Sequence, residues 1–130
     1  TQDMLRIFEI DHFILMWRVY NNIVDFERLK ITQLNNPDTC KIGKWMHSQT
    51  DTRITTSSQF KKLDAAHRLI HKYACESWYA KDEGDINKAL EAFQKCHDAY
   101  YEYKKAIADM KSYMRTIGYT DETKIVIFRN

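Results

Sequence analysis

The chain has 130 residues, 44% hydrophobic and 29% charged, with three glycines, one proline and a formal charge of +2. That length supports one domain with its own core. The near balance of charge, with acids interspersed among the lysines and arginines, excludes a nucleic-acid arm, so Lys61-Lys62 and Lys104-Lys105 read as solvated helix faces. The apolar run at residues 13–17 is too short to cross a bilayer, and no leader peptide is legible, so no membrane contact is expected of this segment. Beginning at Thr1 rather than Met, the chain reads as a fragment or a processed product. Cys40, Cys75 and Cys96, odd in number and widely spaced, point to a reducing compartment rather than a disulfide framework.

Leu5, Phe8, His12, Leu15, Val19, Asn22, Phe26 and Leu29 alternate at intervals of three and four. This row predicts one long helix over about residues 3–34 with these side chains facing inward. His12 falls on the buried row, and so does Asn22, read as an amide that fixes register or hydrogen-bonds to a neighbouring group. The turn formers Asn35-Asn36-Pro37-Asp38 end the helix. A short helix follows, carrying Cys40, Ile42, Gly43 and Trp45, with Asp38 or Thr39 as its cap. A cysteine in its first turn would feel the positive end of the helix dipole, which favours thiolate. Gly43 lets this segment lie close against another backbone.

Residues 47–58 are polar, without an apolar period, and read as a loop, with Ser57 or Ser58 capping what comes next. A second long helix is predicted over about residues 59–82, its inward row being Phe60, Leu63, His67, Ile70, His71, Ala74 and Trp78. Gly84 closes it and Asp85 opens a third. That third helix buries Ile86, Ala89, Phe93, Cys96, Tyr100, Tyr103, Ile107, Met110, Met114 and Ile117 and ends at Gly118. The expected fold is therefore all-α, an antiparallel bundle of three long helices plus a short Cys-bearing one over residues 1–118. The tail over residues 119–130 holds the apolar, β-prone Ile125, Val126, Ile127 and Phe128.

His67 and His71 stand one helical turn apart on an inward face, where two imidazoles can share one metal ion or simply be hydrogen-bonded core residues. With His12 and Cys40 they make three nitrogens and one sulfur from three elements, the donor set zinc prefers; copper and nickel fit the ligand types too. Cys75 lies a turn beyond His71, too far along the axis for one ion to take all three, and reads as a small buried hydrophobe. Cys96 fits the apolar row and His97 its border, pointing about 100° away. His47 reads as solvated, and Asp11 and Asp64 as capping or solvated acids that could also orient a ligand histidine.

The pattern His12-Phe13-Ile14-Leu15, then Cys40, Ile42, Gly43 and Trp45, then His67 and His71, resembles the signature of the chemoreceptor zinc-binding domain family, a bacterial regulatory module. Order, gaps and interior residues all agree, Leu15 included. The resemblance implies that His12, Cys40, His67 and His71 hold zinc and that Cys40 is the redox-sensing group. It implies a cytoplasmic, homodimerising sensory domain with no catalytic residues, attached in the full-length protein to a chemotaxis signalling hairpin or a diguanylate cyclase. An enzyme would want an open metal position, and no HExxH is present. The remaining alternatives are an interaction module with a structural zinc and a di-iron bundle, the latter lacking a second Glu-x-x-His-type motif.

Overall fold

The computed structural model describes residues 2–119. Its elements are α1 (Gln2–Ile23), a single 3-10 turn (Ile31–Gln33), α2 (Lys41–Ser48), α3 (Thr52–Thr55), α4 (Ser58–Asp82) and α5 (Ile86–Thr116). No strand occurs among the described residues. Residues 120–130, which include Ile125, Val126, Ile127 and Phe128, lie outside them.

The helix ends follow local chemistry. Ser57 Oγ accepts from Phe60 N at the start of α4 and Asp85 Oδ1 from Lys88 N at the start of α5, each satisfying an amide the helix leaves unpaired. Gly84 takes φ +83 between the two, where a Cβ would be strained. The tight turn folds α5 back on α4. Cys96 Sγ contacts Ile70 O and Ser77 Oγ donates to Ala89 O, so partners descend one helix as they climb the other. α1 packs antiparallel to α5, with Tyr103 against Phe8, Phe13 beside Tyr100 and Tyr20 beside Phe93. The core runs between the three helices, from Leu5 and Met114 at one end to Ile23, Ala80 and Ala89 at the other.

The predicted long first helix is shorter than its apolar row. It stops at Ile23, and Asp25 adopts φ +67. Asn22 is the reason: its Oδ1 accepts from Leu29 N at 3.0 Å, and Asn21 O accepts from Phe26 N and Glu27 N, so a side-chain amide offers the backbone a turn in place of another helical turn. Of the two roles expected of Asn22, the hydrogen bond to a neighbouring group is the one found, and it clamps this turn. Phe26, expected inside, is 83% exposed, whereas Leu29 and Leu34 remain buried on the returning chain. Trp78 Nε1 donates to Leu29 O and pins that return to α4.

Two smaller corrections concern residues 38–58 and α5. Cys40 itself is the N-cap residue of α2, not Asp38 or Thr39, both of which are engaged in the preceding turn with Asn36. The expected loop contains α3, capped by Asp51 and anchored by fully buried Ile54, a single apolar residue that sets no period. Ile86, expected inside, is exposed at the start of α5. Gly43 does make the close backbone approach expected of it. A Cβ there would overlap Pro37 O and lie 2.8 and 2.9 Å from Asp38 backbone carbons.

Candidate metal centre

Four side chains converge between α1, α4 and the start of α2. His12 comes from the inner face of α1, His67 and His71 from successive turns of α4, and Cys40 from the N-cap of α2. The histidines are 3%, 1% and 6% exposed. Cys40 is half-buried, closing the outer side.

The nearest distances join His67 Nε2 to His71 Nε2 at 3.2 Å, His12 Nε2 to His71 Nε2 at 3.4 Å, Cys40 Sγ to His67 Nε2 at 3.1 Å and Cys40 Sγ to His12 Nε2 at 4.0 Å. One donor atom from each residue falls within 4.8 Å of all the others. A zinc ion with Zn–N near 2.0–2.1 Å and Zn–S near 2.3 Å spreads a tetrahedral donor set to N–N separations of about 3.3 Å and N–S of about 3.6 Å. The two imidazole pairs at 3.2 and 3.4 Å sit at that N–N spacing, while Cys40 Sγ lies about half an ångström inside the N–S spacing from His67 and outside it from His12, so a small shift of the sulfur would complete the set. Among the described residues no other group of three or more His, Cys, Asp and Glu converges this way.

The outward ring nitrogens fix which atoms face the centre. His12 Nδ1 donates to Phe8 O at 3.0 Å, and His71 Nδ1 donates to Leu34 O at 2.7 Å. With the proton assigned to Nδ1 by these carbonyls, each Nε2 lone pair points at its neighbours. The second carbonyl belongs to the chain returning from α1. The early stop of that helix therefore serves the site: a helix continuing to residue 34 could not lay Leu34 against His71.

Residues 12–77 match the family model of the chemoreceptor zinc-binding domain. The chain belongs to that family. Its cofactor is zinc, and the cluster of three imidazoles and one thiol is chemically fit for it. No curated protein and no solved structure matches the chain. The matched segment begins at His12 and contains the whole cluster, but leaves the N-terminal part of α1, before His12, and all of α5 outside.

Within this zinc-binding domain the electrostatics favour neutral donors. Burial lowers the pKa of His12 to about 4, opposed by the Phe8 carbonyl. Burial also lowers that of His67, to about 2, with His12 and His71 adding repulsion, and that of His71, where the Leu34 carbonyl opposes it. All three imidazoles thus keep their lone pairs free at neutral pH. Cys40 departs from the sequence expectation. The amides of Gly43, Cys40 and Ile42 do favour the thiolate, as a helix N-terminus should, but desolvation is larger and raises the thiol pKa. A bound cation would offset that desolvation and favour the thiolate, with release of the thiol proton.

The remaining candidates stay apart from the centre. His47 pairs with Asp38, which also accepts from Arg68, itself bonded to Asp64; this exposed chain laces α2 to α4 over the outer rim. Asp11 faces Lys41 rather than a histidine, so backbone carbonyls orient the rings in place of either acid. Cys96 is buried and Cys75 half-buried on the α4–α5 side, while His97 borders α5 near Asp98. One contributor was missed: Tyr103 of α5, fully buried, donates its hydroxyl to Phe8 O and lies against the His12 ring. A tyrosine on a core-facing row was the available signal, since its hydroxyl must find a partner there.

Proposed function

We propose that His12, Cys40, His67 and His71 bind one zinc ion per chain and that the domain is a sensory module, responding to zinc availability or to oxidation of Cys40. The observation that carries this reading is the placement of a single sulfur at the very start of an eight-residue helix, against three imidazoles held by the long helices. When bound, zinc supplies the positive charge that holds Cys40 as thiolate. α2 is otherwise seated by the packing of Ile42 and Trp45 and by the exposed Asp38 pairs. A hydroperoxide would meet the half-buried sulfur. The S–O bond forms as the O–O bond breaks, hydroxide or alkoxide leaves, and Cys40 becomes a sulfenic acid, a far poorer metal donor. Losing that donor, or losing the metal, frees α2 by the same route, which makes zinc and oxidant two inputs to one element.

Four protein donors close the coordination shell, which argues against hydrolysis and for a non-catalytic role. The structural-zinc alternative predicts the same metal content but no response to peroxide. The di-iron alternative wants bridging carboxylates, and the cluster contains none. Family membership supports a chemotaxis hairpin or diguanylate cyclase as the attached output. Free thiols support a cytoplasmic setting, and no helix among the described residues is long and apolar enough to cross a membrane.

Elemental analysis of the purified domain beside a His67→Ala/His71→Ala variant tests the assignment. One zinc per chain in the parent and none in the variant is expected; a metal-free parent that also fails reconstitution under reducing conditions would return the histidines to core residues.

A homodimer is supported by the outer face of α1. Ile7, Ile10, Ile14 and Trp17 follow a three-and-four spacing on the side opposite His12, and each is 45–52% exposed, with Val24 exposed just past the helix end. With flanking Phe13 and Tyr20 they form a continuous, mainly apolar strip along α1, the kind of self-complementary face an isologous interface uses. A second copy meeting the face with its own α1 covers it. Trp17→Glu should shift the domain from dimer to monomer by light scattering without loss of zinc; an unchanged mass would remove this face as the interface.

A further inference from the structure

Tyr103 is the side chain through which α5 reaches the zinc cluster while contributing no donor to it. Its ring centroid lies 5.0 Å from that of His12 and 6.0 Å from that of His67. Its hydroxyl is 2.9 Å from Phe8 O and 3.3 Å from His12 Nδ1, the atom that also donates to Phe8 O.

A neutral imidazole has one N–H to place. On Nδ1, that hydrogen meets two acceptors, the Phe8 carbonyl and, once the hydroxyl has given its own proton to that carbonyl, the Tyr103 oxygen. Nε2 is then bare and faces the other donors. With the hydrogen on Nε2 instead, Nδ1 would become an acceptor, the hydroxyl would turn to it, and the lone pair aimed at the cluster would be gone. The hydroxyl has two settings, each coupled to one tautomer of His12, and its shorter contact, to the Phe8 carbonyl, selects the metal-competent one.

We propose that Tyr103 is a positioning residue that holds His12 with Nε2 free, and that this contact ties α5 to the state of the metal centre. The inference rests on the zinc reading of the site. It also gives α5, the helix outside the matched family segment, a part in the switch: a change at His12 reaches the last described helix through the ring and hydroxyl of Tyr103.

The test is Tyr103→Phe, which keeps the ring and leaves Phe8 O its bond from His12. Three readouts are taken: zinc affinity by chelator competition, the His12 tautomer in the zinc-free protein by long-range ¹H–¹⁵N NMR, and amide exchange of α5 with and without zinc. The expected outcome is about 10-fold weaker zinc binding, the cost typical of removing a group that orients a ligand histidine. A mixed Nδ1–H and Nε2–H population at His12 and loss of zinc-dependent protection around Tyr103 should accompany it. Affinity within twofold of the parent together with an unchanged tautomer would overturn the proposal, even if stability fell. Should the variant not fold, the parent spectrum decides, since a predominant Nε2–H form of His12 in the parent contradicts the assignment. Failure of the zinc reading shows separately, as a parent that binds no zinc, and leaves the tautomer measurement standing.

Discussion

Cys40→Ser is expected to weaken zinc binding by more than about 100-fold, beyond the 10–100-fold that follows loss of a group merely orienting a ligand. The reasoning is electrostatic. The three imidazoles are neutral, so Cys40 is the one member of the cluster able to bring a negative charge to a buried cation. A serine hydroxyl in the same place is smaller, harder and does not ionise near neutral pH, and it leaves the cation without a counter-charge. The variant should also be silent to peroxide: metal release followed with a chromogenic chelator should rise with peroxide in the parent and stay flat in a Cys40→Ser sample loaded at saturating zinc. Parent-like affinity, or undiminished peroxide-driven release, would place the redox chemistry elsewhere and leave Cys40 as packing. Cys75→Ser is the control. That thiol lies outside the cluster, and its substitution should change neither result.

Short-range rules made the separate donors legible, and the resemblance to the family signature is what joined them into one cluster. His67 and His71 share a face through helical periodicity, His12 falls on an inward row, and Cys40 stands three residues before a glycine that a close approach requires. The termini of α4 and α5 were legible for a like reason, since Ser57, Gly84, Asp85 and Gly118 act within a few residues of themselves. What the residues did not disclose depends on contacts across the fold. Phe26 and Leu29 continue the apolar row of α1, and only the capture of Leu29 N by Asn22 and of Leu29 O by Trp78 turns the chain off the helix. Ile54 is one buried residue in a polar run, too little to make a period, yet it seats α3. The carbonyls of Phe8 and Leu34 orient the histidines without any side-chain signature, and Tyr103 joins them from a sequence distance of 91 residues to His12. The thiol of Cys40 shows where a local rule is outweighed: the helix terminus pulls its pKa down as expected, and burial, a property of the whole fold, pushes it up further.

Gly43→Ala should lower stability by about 3 kcal/mol, at or above the upper end of the usual cost of overpacking, and weaken zinc binding at the same time. The sign is the informative part. Within a helix, glycine to alanine ordinarily stabilises by about 0.4–1 kcal/mol, because the unfolded chain loses freedom and helix propensity rises. Here the added Cβ would overlap Pro37 O and press on Asp38, which are backbone atoms and cannot rotate aside. Either α2 lifts or the segment from Pro37 to Cys40 slides, and both movements displace Sγ, whose own contacts are Pro37 O at 3.4 Å and His67 Nε2 at 3.1 Å. The contacts of Asp38 with His47 and Arg68 would be dragged along, but they are exposed and add little resistance. Urea unfolding of the zinc-free protein measures the first effect and chelator competition the second. If the variant is more stable than the parent and binds zinc as tightly, the contact at Gly43 does not seat α2, and the account of how Cys40 is delivered to the histidines fails with it. If stability falls and affinity holds, the packing is right but the metal alone suffices to draw Cys40 into place, and α2 is less a hinged arm than a segment the donor set can recruit from a distance.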